Sequence, residues 1–254
     1  MWLRAAIQVS SLNSLWNNYV ALSAMAALGV GANKADPMLE CRLMGGAHYI
    51  IHPMEYKDVP EVARIDREAF PGEWVFRSES AYKRDLDNPS VHYIVACKAR
   101  DASKSPGKAV QSLSWFKRLL GDERGADTPE DLVGFAGFWM MMREAHITAI
   151  GVRDGCRRRG IGEGLLIATI ELAQIADASV VTLEVRASNE VAQELYNKYG
   201  FHVAGRRLKY YSSDGEDAII MSTDNIASMP FQASFQKLRE AHARRHPELV
   251  LQVD

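Results

Sequence analysis

Cysteine is scarce in this chain and scattered where it occurs. Cys41, Cys97 and Cys156 are its three cysteines, and no CxxC or HExxH spacing appears. That removes a disulfide framework and the usual zinc signatures, and it points to a reducing cytoplasm and no metal. Charge of one sign is also lacking: 30 Lys and Arg face 32 Asp and Glu, a formal net charge of −2. A general nucleic-acid-binding surface is therefore not expected, and the basic residues are local, at 157–159 and 206–209. No internal repeat is present. The apolar run over residues 20–30 stops after 11 residues, about half the length of a spanning helix.

What remains is an ordinary globular balance, 47% hydrophobic and 24% charged over 254 residues, consistent with one or two domains. Residues 1–45 stand apart. Arg4 before the apolar run and Gly31, Ala32 and Ala35 after it give a faint secretory pattern. The plainer expectation is a loosely ordered leader of unknown role, with Met38 and Met44 as alternative starts.

The chain is organised around residues 147–164, ITAIGVRDGCRRRGIGEG. Ile147, Ile150 and Val152 supply the apolar part of a strand. A basic, glycine-rich turn follows, and then Leu165, Leu166, Ala168, Thr169, Leu172 and Ala173 recur at helical spacing. A helix N-terminus offers unpaired N–H groups and the positive end of a dipole. Gly160, Gly162 and Gly164 allow close backbone approach, and three arginines suit phosphate oxygens. The expected ligand carries a pyrophosphate. No Gly-Lys-Ser/Thr follows, so this is not a Walker loop, and Leu165 stands where a dinucleotide fingerprint has its third glycine.

Along the chain, residues 48–52 read as a first strand. Asp58, Pro60 and Glu61 open a helix with Val62, Ile65 and Ala69 on its buried face. A short helix is expected over 78–87 and a strand over 91–99. Residues 100–130 form an insertion rich in Ser, Lys, Pro and Gly. Its 110–120 stretch is a candidate helix that either folds back on the domain or meets a partner or membrane surface. Strands follow at 132–142 and 180–186, and a helix at 189–199 closed by Gly200. Residues 201–211 and 216–221 form a hairpin. In the 223–254 tail, Phe231, Phe235 and Leu238 mark a short amphipathic helix ending at Pro247. It either docks on the domain or binds a partner.

Alone, Glu184 is one carboxylate on a strand, where a solvated or paired role is commonplace. Here it precedes Asn189, a helix cap, and Tyr196 lies on the second turn of the helix that follows. Such spacing lets both side chains face one cleft. The segments EAHITAIGV, RRRGIG, LEVRASN, LYNKYGF and GEDAIIM together resemble the GCN5-related N-acetyltransferases, or GNAT superfamily. In particular, they resemble the RimI-type ribosomal-protein-alanine N-acetyltransferases. The resemblance covers about residues 48–99 and 132–222.

The resemblance implies an α/β (α+β) acyl-CoA N-acyltransferase fold, a mixed, mostly antiparallel twisted sheet flanked by helices, spanning residues 46–222. It implies that acetyl-CoA lies with its pantetheine arm on the backbone of Ile150, Gly151 and Val152. Its pyrophosphate would sit on Arg158, Arg159, Gly160, Ile161, Gly162 and Glu163, and Asn189 would lie near the thiol end. Glu184 becomes the general base and Tyr196 the general acid, with direct attack by the amine and no acyl-enzyme. Tyr210 and Tyr211 would hold the substrate backbone, or else serve the hairpin structurally. Phe70, Pro71 and Trp74 would shape the pocket for its first residue, although FPGEW departs from the family's usual FPxPW. By the same resemblance the acceptor is a protein N-terminus, first of all the N-terminal alanine of small-subunit ribosomal protein eighteen. No direct nucleic-acid or membrane contact is implied.

The chemistry of amines favours that acceptor. An α-amine titrates near 7.7–8.0 and a lysine near 10.4, so at neutral pH the reactive neutral lysine is roughly 300 times scarcer. Two alternatives stay open: an acetyltransferase for a small amine or lysine, and a non-catalytic CoA-binding or partner-binding module. Three polar residues are assigned lesser roles. His146 and Glu144 are expected to be structural, and Cys156 a loop residue, since no base is positioned to activate it.

Overall fold

The computed structural model describes residues 49–71, 77–98 and 131–251. The expected leader, the 100–130 insertion with its candidate helix, and Trp74 lie outside the described residues. Chain order is β1 (Tyr49–Pro53), α1 (Val59–Ala69), α2 (Glu79–Leu86), β2 (Val91–Lys98), β3 (Asp131–Met141), β4 (Glu144–Val152), α3 (Ile161–Ile175), β5 (Val180–Arg186), α4 (Glu190–Lys198), β6 (Phe201–Tyr211), β7 (Glu216–Thr223), α5 (Met229–Arg245) and β8 (Leu249–Leu251).

The eight strands form one sheet in the order β6-β7-β5-β4-β3-β2-β1-β8. Neighbours are antiparallel except at β4–β5 and β1–β8, which are parallel. The mixed, mostly antiparallel sheet flanked by helices is thus the expected one. Helix α1 starts with Pro60 in its first turn and buries Val59, Val62, Ala63 and Ile65. With Tyr82 of α2 they cover one face of the sheet at Tyr93, Val95 and Phe135. Asp58 does not cap α1 with its side chain. It already has helical dihedrals, and its carboxylate turns back to accept from the Glu55 N–H at 2.8 Å. A capping side chain needs an extended backbone to reach forward, and Asp58 lacks one.

Helix α3 is apolar nearly all round and lies against the opposite face. Leu166, Ile167, Ile170 and Ala173 join Phe138, Ile147, Val181, Leu183, Val185 and Met221 in the largest core cluster. A helix buried on most sides has no need of an amphipathic pattern. The expected C-terminal helix is present as α5 and is long rather than short. Ser228 caps it, accepting from the Phe231 N–H, and Phe235 enters the core beside Tyr199. Its docking also closes an ion pair: Arg239 reaches the buried Glu171 of α3 at 2.9 Å. The three-residue β8 after it was not anticipated, and it pairs in parallel with β1 at the sheet edge.

One irregularity positions the site. Strands β4 and β5 pair only from Glu144↔Val180 to Ile147↔Leu183. Beyond that, β4 stays with β3, and β5 stays with β7. The register between β3 and β4 slips at the same place, where Phe138↔Ile147 is followed by Gly137↔Ala149. Thr148 is the extra residue, and its hydroxyl donates to the Gly137 carbonyl at 3.2 Å. A bulge bends its strand and increases the local twist, so β4 swings away from β5 after Ile147.

Candidate active site

Among the described residues, the gap leaves the β5-facing backbone edge of β4 from Thr148 to Val152 without a strand partner. Ile150, Gly151 and Val152, expected to meet a pantetheine arm, lie on that edge. An extended amide-bearing ligand can pair there as a strand would. At its end the chain turns through residues 153–160 into α3. Arg153 fixes the turn by ion pairs to Glu61 and Glu68 of α1 and by donating to the Leu132 carbonyl at 2.9 Å.

The turn offers groups that suit an anion. Gly160, the N-cap residue of α3, has φ +74°, a region that L side chains adopt only at a cost. The first helical bond runs from the Gly164 N–H to the Gly160 carbonyl, 2.8 Å. The N–H groups of Ile161, Gly162 and Glu163 precede it and have no carbonyl of their own helix to reach. Around Gly162 there is room, since an added Cβ would meet only Val152, at 3.7 Å. Of the three arginines, Arg157 pairs with Asp154 at 2.7 Å and Arg159 donates to the Tyr49 hydroxyl at 3.0 Å. Arg158, at φ +64°, makes no ion pair among the described residues. Bare N–H groups, an open glycine and one uncommitted guanidinium fit a pyrophosphate.

Glu184 lies where β5 parts from β4. Its side chain is 9% exposed, with Oε2 at 3.0 Å from His146 Nε2 and Oε1 at 3.1 Å from an Arg207 guanidinium nitrogen. The His146 hydrogen bond, with the charges of His146 and Arg207, outweighs partial burial and holds the carboxyl below its usual range. The contacts continue: His146 Nδ1 meets Thr182 Oγ1 at 2.9 Å, and the Thr182 hydroxyl donates to Glu144 Oε1 at 2.5 Å. An ionised Glu184 can only accept, so the hydrogen on His146 Nε2 is donated to it.

His146 and Glu144, expected as structural residues, are therefore part of this chain. Arg207 belongs to the basic 206–209 stretch, but nothing in the sequence ties it to Glu184. The missing signal is pairing: Glu144 and His146 alternate on β4, Thr182 and Glu184 on β5, and the parallel register that sets His146 beside Thr182 brings the four within reach of one another.

Tyr196 occupies the other face. Alternation along β5 sends Leu183 and Val185 toward α3, and Tyr196 packs in that cluster with Ile150, its ring 5.7 Å from Phe201. Its hydroxyl makes no hydrogen bond among the described residues, and burial pushes its pKa up to about 12. Glu184 and Tyr196 thus lie toward opposite faces of the sheet. Asn189 caps α4, its side-chain oxygen accepting from the Ala192 N–H at 3.2 Å. That leaves its amide nitrogen to meet a ligand.

Tyr210 and Tyr211 end β6, ring to ring at 5.2 Å. Arg207 lies over Tyr210 at 5.4 Å and Arg186 over Tyr211 at 4.0 Å. Arg186 in turn binds Asp214 and Glu216, and Glu216 accepts from the Ser188 N–H at 2.7 Å, which ties the hairpin to the β5–α4 turn. Phe70 is half-buried at the C-terminus of α1 and Pro71 is exposed beside it.

Comparison with known proteins agrees with this architecture. The acetyltransferase (GNAT) family matches residues 59–201. A Bacillus subtilis protein named for alanine N-acetylation of ribosomal protein bS18 is 32% identical over 171 residues, 67% of this chain and 92% of its own. An N-alpha-acetyltransferase of Sulfurisphaera tokodaii is 40% identical over 181 residues, 70% of this chain and 93% of its own. The crystal structure of the Escherichia coli ribosomal-protein-S18-alanine N-acetyltransferase superposes with a TM-score of 0.52 at 24% identity, covering 71% of this chain and 97% of that one. Its fold is thus shared, and with a match that runs from α1 to the start of β6, this chain belongs to the GNAT acetyltransferase family as an acyltransferase of the RimI type.

Proposed function

We propose that the protein moves an acetyl group from acetyl-CoA to the N-terminal α-amine of a protein. The first candidate acceptor is the N-terminal alanine of ribosomal protein bS18, and other N-termini are included in the reading. The observation that carries it is the ionised, nearly buried Glu184 bonded to His146 where β4 and β5 separate. The names of the Bacillus and Sulfurisphaera relatives support an N-terminal acceptor. Acetyl-CoA, made and used in the cytoplasm, would place the enzyme there.

Acetyl-CoA supplies the activated acyl group as a thioester. Ile161, Gly162 and Glu163 would hold its pyrophosphate with backbone N–H groups, Arg158 would add a charge, and the free β4 edge would pair with the pantetheine amides. The acceptor comes from the face of Glu184, past Tyr210, Tyr211 and Phe70. Near neutral pH a fraction of α-amines is already neutral, so the nitrogen attacks with its lone pair. Once bonded to the acyl carbon, that nitrogen holds a proton far more acidic than an ammonium proton. A carboxylate with a depressed pKa can take it, directly or through one water. His146, itself joined to Thr182 and through it to Glu144, keeps the Glu184 carboxylate ionised and in place. Tyr196, still protonated well above neutral pH, donates to the departing thiolate from the opposite face.

The test is acetylation of an alanine-starting peptide with the bS18 N-terminal sequence, beside a polyamine and a peptide whose only amine is an internal lysine. Turnover of the first and not the others is expected. Preference for polyamine or lysine would overturn the acceptor assignment, and acetyl-CoA binding without turnover on any amine would overturn the enzyme mechanism.

A further inference from the structure

The family match ends at residue 201, yet the segment beyond it reaches the anion-binding turn. We propose that the last turn of α5 and the residues after it are a working part of the cofactor site, and that His242 and Arg245 hold the Gly160–Glu163 turn in its binding shape. This rests on the acetyl-CoA reading above.

Four contacts converge on the turn. His242 Nε2 lies 3.0 Å from the Gly160 carbonyl, and the histidine is 5% exposed. His246 stands against the α-carbon of Gly160 so closely that an added Cβ would meet its ring at 2.5 Å. Leu249 stands likewise against Gly164, at 2.9 Å. Arg245 reaches Glu163 Oε1 at 3.0 Å, where Lys198 and the Tyr199 hydroxyl also converge, at 2.6 and 2.7 Å.

Each contact has a consequence for an anion. Gly160 and Arg158 both have positive φ, so the turn is a conformation an isolated loop would leave. A donor on the Gly160 carbonyl and a ring behind its α-carbon keep it there, and the three N–H groups stay aimed together. Glu163 brings a negative charge into the first turn, beside the phosphate position. Two cations and a phenol draw its carboxylate outward. Ordering a site before binding removes that entropy from the binding step. His242 and Arg245 touch the turn rather than the ligand, so they are positioning residues.

Calorimetric titration of the full-length protein with acetyl-CoA tests this, with kinetics on the alanine-starting peptide. Loss of one hydrogen bond corresponds to a factor of about 5 in affinity. His242→Ala should weaken acetyl-CoA binding by about five-fold and Arg245→Ala by about two-fold. Peptide KM and kcat should hold at saturating acetyl-CoA. His242→Gln keeps a donor at a similar reach and should restore most of the affinity. Hydrogen exchange of the 161–164 amides should quicken in His242→Ala. Leu238→Ala loosens α5 against the core, away from the turn, and should lower Tm with no change in acetyl-CoA affinity. Unchanged affinity in both His242→Ala and Arg245→Ala would overturn the proposal. So would an equal loss in Leu238→Ala, which would mean that α5 matters only for folding. If the wild-type protein itself bound no acetyl-CoA, the failure would lie with the acetyl-CoA reading and the proposal would fall with it.

Discussion

Replacing His146 by alanine is the most discriminating perturbation of the candidate site. The imidazole is joined to Glu184 at 3.0 Å, with side chains 21% and 9% exposed, so solvent screens the pair little. A hydrogen bond to a charged group contributes about 1.5–3 kcal/mol, a factor of about 10 to 150 in rate if it is needed in the transition state. Arg207 stays, but its side chain is 54% exposed, and such a pair contributes at most about 1 kcal/mol. His146→Ala should therefore lower kcat/KM for the alanine-starting peptide by one to two orders of magnitude, with the KM for acetyl-CoA unchanged.

A double-mutant cycle locates the effect. In a Glu184→Gln background the histidine has no carboxylate to support, and removing it should cost little more. Equal losses in both backgrounds would refute the coupling. Stability gives a second reading with a definite sign. The folded-state pKa of Glu184 is depressed, so the pair's stabilisation is present in full above the unfolded value, about 4.3. It is lost as pH falls through the lower, folded value. The gap in urea midpoint between wild type and His146→Ala should be widest near neutrality and close in acid. A gap that widened in acid would contradict the assigned charge state.

Further outcomes follow from single contacts. Glu184→Gln should cut kcat by about 10²–10⁴ while calorimetry finds acetyl-CoA affinity intact. Tyr196→Phe should slow turnover by a smaller factor. Because burial pushes Tyr196 up to about 12, the wild-type rate should not fall through pH 10 as it would for an ordinary phenol. Gly160→Ala meets both a positive φ and the His246 ring. It should lose at least about 1–2 kcal/mol, read as a lowered Tm together with weaker acetyl-CoA binding. Arg239→Ala strands the buried Glu171 and should destabilise by about 3–5 kcal/mol in urea unfolding, with Arg239→Ala/Glu171→Leu recovering much of it.

Much of the fold was legible because its signals are local. Asn189 at the head of α4 and Gly200 past its end, with φ +83°, bracket that helix in the sequence itself. The turn of β6 and β7 is equally plain in Ser212, Ser213, Asp214 and Gly215. Helix α3 was found from a glycine turn followed by apolar spacing. Strand β8 was invisible because Leu249, Val250 and Leu251 are too few to show alternation. Their strand character comes from β1, about two hundred residues away, and such pairings are set by tertiary structure rather than by propensity.

The same division runs through the site. The anion turn is one contiguous stretch, and its chemistry could be read from helix termini, glycine and arginine. The hydrogen-bond chain around Glu184 is not contiguous. His146 in isolation is a histidine on a strand, and Arg207 is one of several cations on an edge strand. They become chemically significant because Thr148 bulges. Had β4 continued in register with β5, the edge from Thr148 to Val152 would be consumed by sheet hydrogen bonds and no ligand could lie along it. The bulge releases that edge at the residue after Ile147, two residues beyond the point where His146 and Thr182 are side by side. One inserted residue therefore separates a paired half of the strands, which sets His146 beside Thr182, from a parted half with a free backbone edge, which in the proposed reading receives the acyl donor. Restoring register by deleting Thr148 should abolish acetyl-CoA binding and turnover together while leaving the α1–α2 side of the core folded, as judged by near-ultraviolet circular dichroism. Retained binding in that deletion would mean that the gap does not depend on the bulge.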